Sequence, residues 1–315
     1  MGRIGLTLLL VLSLFLPALA TESVVAIHVS ELTQALESMP AVAPTPTGTG
    51  TTGHEWWIPW WRYFVMPESV KEALRADGTP FVLVNDAEIT AGVLLLPNGQ
   101  PRYPIVISLA AEAIRDDEIS PLRDYVAAGG FLLVGSSAFT RNPNGTSRGD
   151  FALAAEMGLH TTSGDLENWV QENDLEKSID HRLVSHIAAE YMTWEMPRTS
   201  EDISWGISPN HVHQAYHYLW QVSVGDATEI ADTSHCPYLL TKAYGQGRFI
   251  YHAGLQPLIG HGGHAPGMYA YGIFRKAIEW AFESANLPLI RVSSWPYAYN
   301  AAYMVRHDLE NSEWA

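Results

Sequence analysis

Three short apolar runs constrain this chain most, because each is too brief for a helix and lacks polar alternation. They lie at residues 80–86, 103–110 and 131–135 and are rich in valine, isoleucine and leucine. Strands with this pattern are typically buried on both faces of a parallel sheet. Between the last two runs, residues 117–126 place apolar side chains on one helical stripe, and Gly129 follows as a helix stop signal. This strand–helix–strand spacing predicts a βαβ unit and an α/β fold.

The carboxyl-terminal half continues the pattern with weaker signals. Tyr238–Leu240 and Gly247–His252 flank a glycine-containing turn and predict a hairpin. Apolar side chains from Tyr271 to Phe282 recur at helical spacing and predict a helix that lies on the sheet. Residues 289–292 follow as a further expected strand. The whole pattern predicts a sheet with flanking helices.

The amino-terminal residues 1–20 have the three parts of a secretory signal peptide. Arg3 precedes an apolar run, and the small-x-small ending Ala18-Leu19-Ala20 predicts cleavage after Ala20. The alternative is an uncleaved anchor, but the apolar run is shorter than the ~20 residues that a membrane span needs. We therefore expect a secreted, periplasmic or extracellular protein that does not bind the membrane after cleavage.

Residues 40–53 are rich in proline, threonine and glycine, and this composition is typical of a linker. The segment before it, residues 24–39, has a loosely amphipathic pattern that favours a short strand and a helix. We expect the main folded body to begin near His54.

Charge and cysteine content exclude some classes of protein. The chain has 18 basic and 34 acidic residues, a net charge of −16, which repels the phosphates of nucleic acids. Nucleic acid is therefore not an expected partner. The lone cysteine, Cys236, has no second cysteine to pair with, and we predict that it is a buried apolar side chain.

An apolar strand near the end of the chain is followed by a cluster of ionisable groups. Asp308 and Glu310 alternate with Leu309, so an extended backbone would point both carboxylates the same way, as metal chelation requires. The alternative is a strand-end ion pair between Arg306 and Asp308.

Residues 295–310 resemble the opening strand of NodB-type polysaccharide deacetylases, in which an apolar strand ends in a pair of acidic residues. The resemblance implies a divalent metal ion, often zinc, that activates water to attack an acetyl group. Asp308 would be the general base and a metal ligand, and Glu310 the second metal ligand. It also implies a glycan or cell-wall polysaccharide as partner. The remaining motifs of that family would lie beyond Ala315, so residues 287–315 would be only the first strands of a truncated (β/α) barrel.

The body at residues 54–286 resembles non-catalytic versions of the class I glutamine-amidotransferase domain, a flavodoxin-like parallel sheet with flanking helices. The resemblance depends on the strands at 103–109 and 131–135 and on the late Tyr244–Ile250 segment. Active amidotransferases carry a cysteine on the turn after the strand, whereas this chain has Gly135-Ser136-Ser137. The domain is therefore expected to be catalytically silent. The expected organisation is a signal peptide (1–20), an amino-terminal segment and linker (21–53), this domain (54–286) and the start of a deacetylase domain (287–315).

Two further groups are candidate ligand-binding residues. Histidines flank glycines in a short stretch that could form a ligand-binding loop or an ordinary loop. Four indoles within six residues could stack on sugars or cover the sheet edge. These candidates are His261, His264, Trp56, Trp57, Trp60 and Trp61.

The sequence therefore favours the secreted amino-terminal part of a metal-dependent polysaccharide deacetylase, itself non-catalytic. The alternative is a glycan- or protein-binding α/β module without chemistry. A third interpretation is a hydrolase that uses Ser136 or Ser137 as its nucleophile, which would need a base beside the hydroxyl.

Overall fold

A computed structural model of the chain describes residues 20–38, 66–109, 111–162, 169–172, 176–187, 195–196, 213–214, 217–233, 236–254 and 266–292. Its α-helices are α1 (Glu31–Ser38), α2 (Met66–Asp77), α3 (Asp86–Thr90), α4 (Asp116–Ala127), α5 (Ala154–Met157) and α6 (Pro266–Ser284). A 3-10 helix covers Arg182–Val184. No helix in these ranges is both long and apolar enough to span a membrane.

Fourteen strands lie in the described ranges. They are β1 (Val25–Val29), β2 (Phe81–Asn85), β3 (Ile105–Leu109), β4 (Phe131–Gly135), β5 (Leu159–Thr161), β6 (Trp169–Glu172), β7 (Glu176–Lys177), β8 (Glu195–Met196), β9 (His213–Gln214), β10 (His217–Trp220), β11 (Val222–Val224), β12 (Thr228–Asp232), β13 (Pro237–Tyr244) and β14 (Gly247–His252).

Eight strands form one mixed sheet in the order β2-β1-β3-β4-β14-β13-β12-β7. The first five are parallel neighbours, whereas β13, β12 and β7 continue the sheet with antiparallel pairing. Three two-stranded sheets pair β10 with β6, β11 with β5 and β8 with β9. The prediction of an α/β fold with a largely parallel sheet and flanking helices is confirmed, and so is the hairpin of β13 and β14.

The middle of the large sheet is the core of the protein. Every residue of β3 and β4 is buried, as their continuous apolar sequences predict, since parallel strands are covered on both faces. Helix α4, between these strands in sequence, matches the helix expected at residues 117–126. Its Tyr125 hydroxyl lies in the core, where it donates to the Tyr103 carbonyl at 2.9 Å and lies 3.2 Å from the Phe131 carbonyl.

The amino-terminal strand and helix expected in residues 24–39 are β1 and α1. Strand β1 is not peripheral, because it lies between β2 and β3 and pairs with both. The sheet therefore begins at Val25, ahead of the expected start of the folded body near His54. Long-range pairing of this kind leaves no mark in the local sequence.

Residues 287–292 run back towards α2 without forming the strand expected there. The Val292 amide donates to the Gly78 carbonyl at 2.7 Å, and the Arg291 guanidinium lies 2.6 Å from the Asp77 carboxylate. Side-chain ion pairing and one backbone hydrogen bond thus fix this segment. The division of the chain at residue 286 stays a prediction.

Because β2, β1, β3, β4 and β14 are parallel, their carboxyl ends meet at one edge of the sheet. Ligand sites of open α/β sheets lie at this edge, where loops converge. The polar residues that follow β1, β2, β3 and β4 there are the starting point for locating a site.

Candidate functional site

A buried cluster of His28, Asp86 and Glu118 lies under this edge. His28 is on β1, Asp86 is the first residue of α3 directly after β2, and Glu118 lies in the first turn of α4. Each side chain is at most 1% exposed. One ligand-type atom from each residue lies within 4.8 Å of those from the other two. The cluster thus joins three segments that are far apart in sequence.

Local sequence signals place the two carboxylates. Asn85 ends β2 and caps α3 by accepting a hydrogen bond from the Glu88 amide at 2.9 Å, which starts the helix at Asp86. In α4 the Glu118 Oε1 atom accepts a hydrogen bond from the Arg115 amide at 3.1 Å. Both carboxylates therefore belong to helix amino termini, where negative charge is stabilised by the free amides.

His28 and Asp86 form a buried hydrogen-bonded pair, with 2.8 Å between Nε2 and Oδ1. The other Asp86 oxygen, Oδ2, accepts from the Leu32 amide at 2.8 Å and from the Ser30 hydroxyl at 3.3 Å. Burial acts to raise the pKa of the Asp86 carboxyl, but these hydrogen bonds and the charge of His28 together hold that pKa below its ordinary value.

The second ring nitrogen of His28 is also fixed. Its Nδ1 atom lies 2.8 Å from the Ser108 hydroxyl, on the neighbouring strand β3. The ring of Phe139 stacks against the imidazole, with 6.3 Å between centroids and 28° between planes. The imidazole thus has one orientation, in which Nε2 points at the carboxylates.

Glu118 has one satisfied and one unsatisfied oxygen. Oε1 accepts from Arg115, whereas Oε2 is buried and has no hydrogen-bond partner among the described residues. Burial raises the pKa of Glu118 to about 7, and the negative charge of Asp86 adds to the shift. Near neutral pH this carboxyl is therefore close to half ionised. Oε1 also lies 3.5 Å from the Arg115 guanidinium, whereas a proton or a further cation would supply the partner that Oε2 lacks.

The three donors are of types that bind a divalent metal. Imidazole nitrogen with carboxylate oxygens suits zinc and other borderline cations. Metal-binding histidines commonly hydrogen-bond through their other ring nitrogen, and ligating carboxylates are themselves hydrogen-bonded. Ser108 has the first of these roles for His28, and Leu32 and Ser30 have the second for Asp86.

The usual ligand crevice of such a sheet is closed in the described part of the chain. It would lie between the loops that follow β1 and β3. There the Ala113 amide donates to the Thr33 hydroxyl at 3.0 Å, and the Ala113 carbonyl lies 3.5 Å from the Ser30 hydroxyl. These contacts join the two loops directly, so the site lies beneath the edge of the sheet.

The turn after β4 has the backbone of a nucleophile elbow but not its chemistry. Ser136 has φ +53°, in the left-handed region, yet it is only 1% exposed. Its hydroxyl donates to the Gly254 carbonyl at 3.0 Å, and the nearby His252 Nε2 pairs with the Tyr238 hydroxyl at 2.7 Å. Among the described residues, therefore, no base contacts the Ser136 hydroxyl.

The neighbouring Ser137 hydroxyl also has a hydrogen-bond partner. It donates to the Glu112 carboxylate, which the Arg141 guanidinium contacts at 3.1 Å. A hydroxyl hydrogen-bonded to a carboxylate within a buried ion pair ties the loops after β3 and β4 together. Both serines thus have structural partners.

The site residues predicted from the sequence lie outside the described residues. This applies to the predicted catalytic and metal-binding carboxylates and to the predicted ligand-binding histidines and indoles. They are Asp308, Glu310, His261, His264, Trp56, Trp57, Trp60 and Trp61. Cys236 is described, and the prediction that it is buried is confirmed.

Sequence reasoning missed all three residues of the cluster. One signal was available, because His28 is a lone polar residue in an otherwise apolar strand and Asp86 follows a strand directly. Glu118 gave none, since an acidic residue in the first turn of a helix is an ordinary feature. Only the pairing of β1 with β2 and β3 brings them together.

No family model and no curated protein matches this chain. Similarity to solved structures is found, at low sequence identity. A cold-adapted β-galactosidase from Rahnella sp. R3 is 14% identical with a TM-score of 0.52, and the match covers 85% of this chain and 32% of that one. The chain thus spans about a third of the length of that β-galactosidase. At this identity the likeness shows the fold alone.

Two cytoplasmic proteins of Salmonella typhimurium are also similar. The first is 14% identical with a TM-score of 0.43, and the match covers 67% of this chain and 85% of that one. The second is 13% identical with a TM-score of 0.41 and coverages of 70% and 86%.

These comparisons correct the expected family and function. The solved structures named above include a β-galactosidase of similar fold and no NodB-type deacetylase preceded by an amidotransferase-like domain. The assignment to a secreted polysaccharide deacetylase was therefore wrong. Its basis was one short motif, and an apolar strand that ends in acidic residues is a common feature of parallel sheets.

The expected location is corrected in the same way. The predicted signal peptide falls almost wholly outside the described residues, and two of the similar structures are named as cytoplasmic proteins. The comparisons thus give no support to the predicted secretion. That a glycan is a partner and that nucleic acid is not one both stay predictions.

Proposed function

We propose that this chain is a metal-binding α/β domain, in which His28, Asp86 and Glu118 hold one divalent ion, zinc in first place. The observation that carries the proposal is the convergence of three donor atoms within 4.8 Å, one of which, Glu118 Oε2, is buried without a partner. A buried polar atom of this kind requires an explanation, and a cation supplies one.

Charge balance supports the same proposal. With a neutral imidazole as metal ligand and both carboxylates ionised, the three donors carry two negative charges. The Arg115 guanidinium, 3.5 Å from Glu118 Oε1, offsets part of this charge, and a bound cation would offset the rest. Without the ion, Glu118 relieves the repulsion by taking a proton, as its pKa of about 7 indicates. Proton and metal therefore compete for one oxygen atom.

The role that the geometry favours for the ion is structural. All three ligands are at most 1% exposed, and the loops above them are hydrogen-bonded to each other through Thr33 and Ala113. A bound ion would join the first turn of α4 to the ends of β1 and β2. It would stabilise this edge of the sheet, since metal binding to a site that exists only in the folded state adds to folding free energy.

Asp86 and Glu118 also have one property of a glycosidase pair. Their carboxylates are close together and their pKa values are shifted in opposite directions, as in the acid and nucleophile of retaining enzymes. Burial decides against that role, because a sugar ring cannot reach two carboxyl groups that are covered by protein. Metal binding needs no such access for a substrate.

The finer fold class is part of the same proposal. The order of the five parallel strands is β2-β1-β3-β4-β14, which corresponds to the flavodoxin-like order 2-1-3-4-5. In that arrangement β1 is an interior strand, between the edge strand β2 and β3. This supports a flavodoxin-like sheet in which His28, on an interior strand, anchors the site.

Zinc binding by the whole chain tests the proposal. The purified protein is stripped with a chelator, dialysed and titrated with zinc by calorimetry, and bound metal is counted by mass spectrometry. Glu118→Gln removes the charged ligand while its amide oxygen can still accept from Arg115. Asp117→Asn is the matched control, because it removes an exposed carboxylate from the same helical turn.

We expect one zinc ion per chain in the wild type and in Asp117→Asn, and at least tenfold weaker binding in Glu118→Gln, in line with a charged ligand being worth more than about 1.4 kcal/mol. The other histidines of the chain provide background sites, so the measured quantity is the difference between variants. Equal zinc affinity in Glu118→Gln and the wild type would remove the basis of the proposal.

A further inference from the structure

A second cluster of unusual charge surrounds Trp280, near the carboxyl end of α6. The guanidinium carbon of Arg248 lies 4.4 Å from the centre of this indole, and that of Arg182 lies 5.1 Å away. The rings of His181 and Phe131 meet the indole edge-on at 5.3 and 5.4 Å. Two guanidinium groups thus share one aromatic side chain.

Positive charge exceeds negative charge in this cluster. Arg182 pairs with the Glu283 carboxylate at 2.5 Å, but Arg248 has no carboxylate partner in the described part of the chain and makes only a long 3.4 Å contact with the Thr241 hydroxyl. The Nε atom of Arg182 is buried and unpartnered. In a chain of net charge −16, the guanidinium of Arg248, without a carboxylate and beside a second guanidinium, is a local exception.

His181 adds a directed donor. Its Nδ1 atom accepts a hydrogen bond from the Leu183 amide at 3.2 Å, so in the neutral ring the proton lies on Nε2. No partner for that N–H occurs among the described residues. Burial, with a smaller contribution from the positive charges of Arg248 and Arg182, lowers the pKa of His181 and favours this neutral form.

The cluster is independent of the proposed metal site. Arg248 is the second residue of β14 and lies opposite Phe131, the first residue of β4. Both are at the amino ends of parallel strands. The metal ligands lie at the carboxyl ends, so the two sites are at opposite edges of the sheet.

We propose that Arg248, Arg182 and His181 form a binding site for a phosphate group. Guanidinium groups donate several hydrogen bonds in a plane and match the oxygens of phosphate. Donors from three residues favour an anion with three free oxygens over a carboxylate, which has two. The stacking of both arginines on Trp280 restricts their side chains, which lowers the entropy lost when the anion binds.

Calorimetric titration of the whole chain with inorganic phosphate tests this site, at ionic strength held constant with chloride. Acetate is the comparison ligand that separates phosphate from carboxylate recognition. Arg248→Met removes the charge and keeps an apolar chain on the indole. Arg75→Met is the control, because Arg75 also stacks on an aromatic ring, that of Phe81, at 5.7 Å.

We expect saturable binding of phosphate but not of acetate in the wild type and in Arg75→Met, and a loss of at least tenfold in affinity in Arg248→Met. Arg248→Lys keeps the charge without the planar guanidinium and should bind phosphate with intermediate affinity. This graded loss would show that the weaker binding of Arg248→Met does not come from a folding defect. Wild-type protein that shows no saturable phosphate binding, or the same affinity in Arg248→Met, would overturn the proposal. Tighter binding of acetate than of phosphate would also refute it.

Discussion

The pH dependence of stability at Glu118 gives the sharpest prediction. Its pKa is about 7 in the folded chain against an ordinary value of 4.5, so folding favours the protonated carboxyl. Its contribution to stability is fully present below the unfolded-state pKa of about 4.5 and is lost as the pH rises through about 7. The metal-free wild type is therefore expected to lose stability over this range.

The magnitude follows from the two pKa values. Their difference, at about 1.4 kcal/mol for each tenfold change in proton affinity, corresponds to about 3 kcal/mol of unfolding free energy. Glu118→Gln cannot ionise and should lack this dependence. In chelator, the stability of the variant relative to the wild type should rise by about 3 kcal/mol between about pH 4.5 and about pH 8.

Urea denaturation followed by circular dichroism measures this difference, in chelator and in zinc. Zinc at about a hundredfold excess over its dissociation constant should add about 2.7 kcal/mol to the wild type, and much less to the variant. It would thus remove most of the advantage of Glu118→Gln at alkaline pH. Asp117→Asn should keep the pH dependence of the wild type with a slightly lower midpoint, because the charge of the exposed Asp117 is the smallest cause of the raised pKa of Glu118.

Two results would refute parts of this reasoning separately. A wild type and a Glu118→Gln variant that keep the same difference in stability at every pH in chelator would show that Glu118 is not held at a raised pKa. If the unfolding free energy depends on pH as expected but zinc adds nothing to it, the raised pKa of Glu118 would stand and the metal site would be refuted.

Three further outcomes are expected. Asp86→Asn should destabilise the fold by about 3 kcal/mol in urea denaturation, because it removes a buried carboxylate that is hydrogen-bonded to His28; a loss of only a few tenths would contradict the pairing. Gly78→Ala should expose the segment at Val292 to limited proteolysis, since Gly78 has φ +67° and an added Cβ would lie 1.7 Å from the Val292 carbonyl oxygen; proteolysis at the wild-type rate would be the contrary result. The Cys236 thiol, 2% exposed, should resist a thiol reagent until the protein unfolds, and rapid labelling of the native chain would show that this part of the core opens.

The sequence determined the strands and helices of the sheet because their signals are local. The apolar runs at β3 and β4 have the continuous pattern that burial on both faces requires, and the glycines after α4 mark its end. The turn between β13 and β14 likewise lies within one short segment. Each of these predictions needed only neighbouring residues.

The same local reading failed for the function. The acidic pair at Asp308 and Glu310 has a pattern that many parallel sheets share, and the short match was extended to a whole enzyme family that the comparisons do not support. A motif of this length gives the chemistry of its side chains but not their surroundings.

The tertiary structure alone decided which residues meet. His28 and Asp86 are 58 residues apart in the sequence. A further strand and helix separate Asp86 from Glu118. They lie together only because β1 is inserted between β2 and β3 and α4 returns over the sheet. Burial then made the ordinary carboxyl of Glu118 a weak acid with an unpartnered oxygen, because desolvation depends on what surrounds a group and is not encoded by its neighbours in the chain.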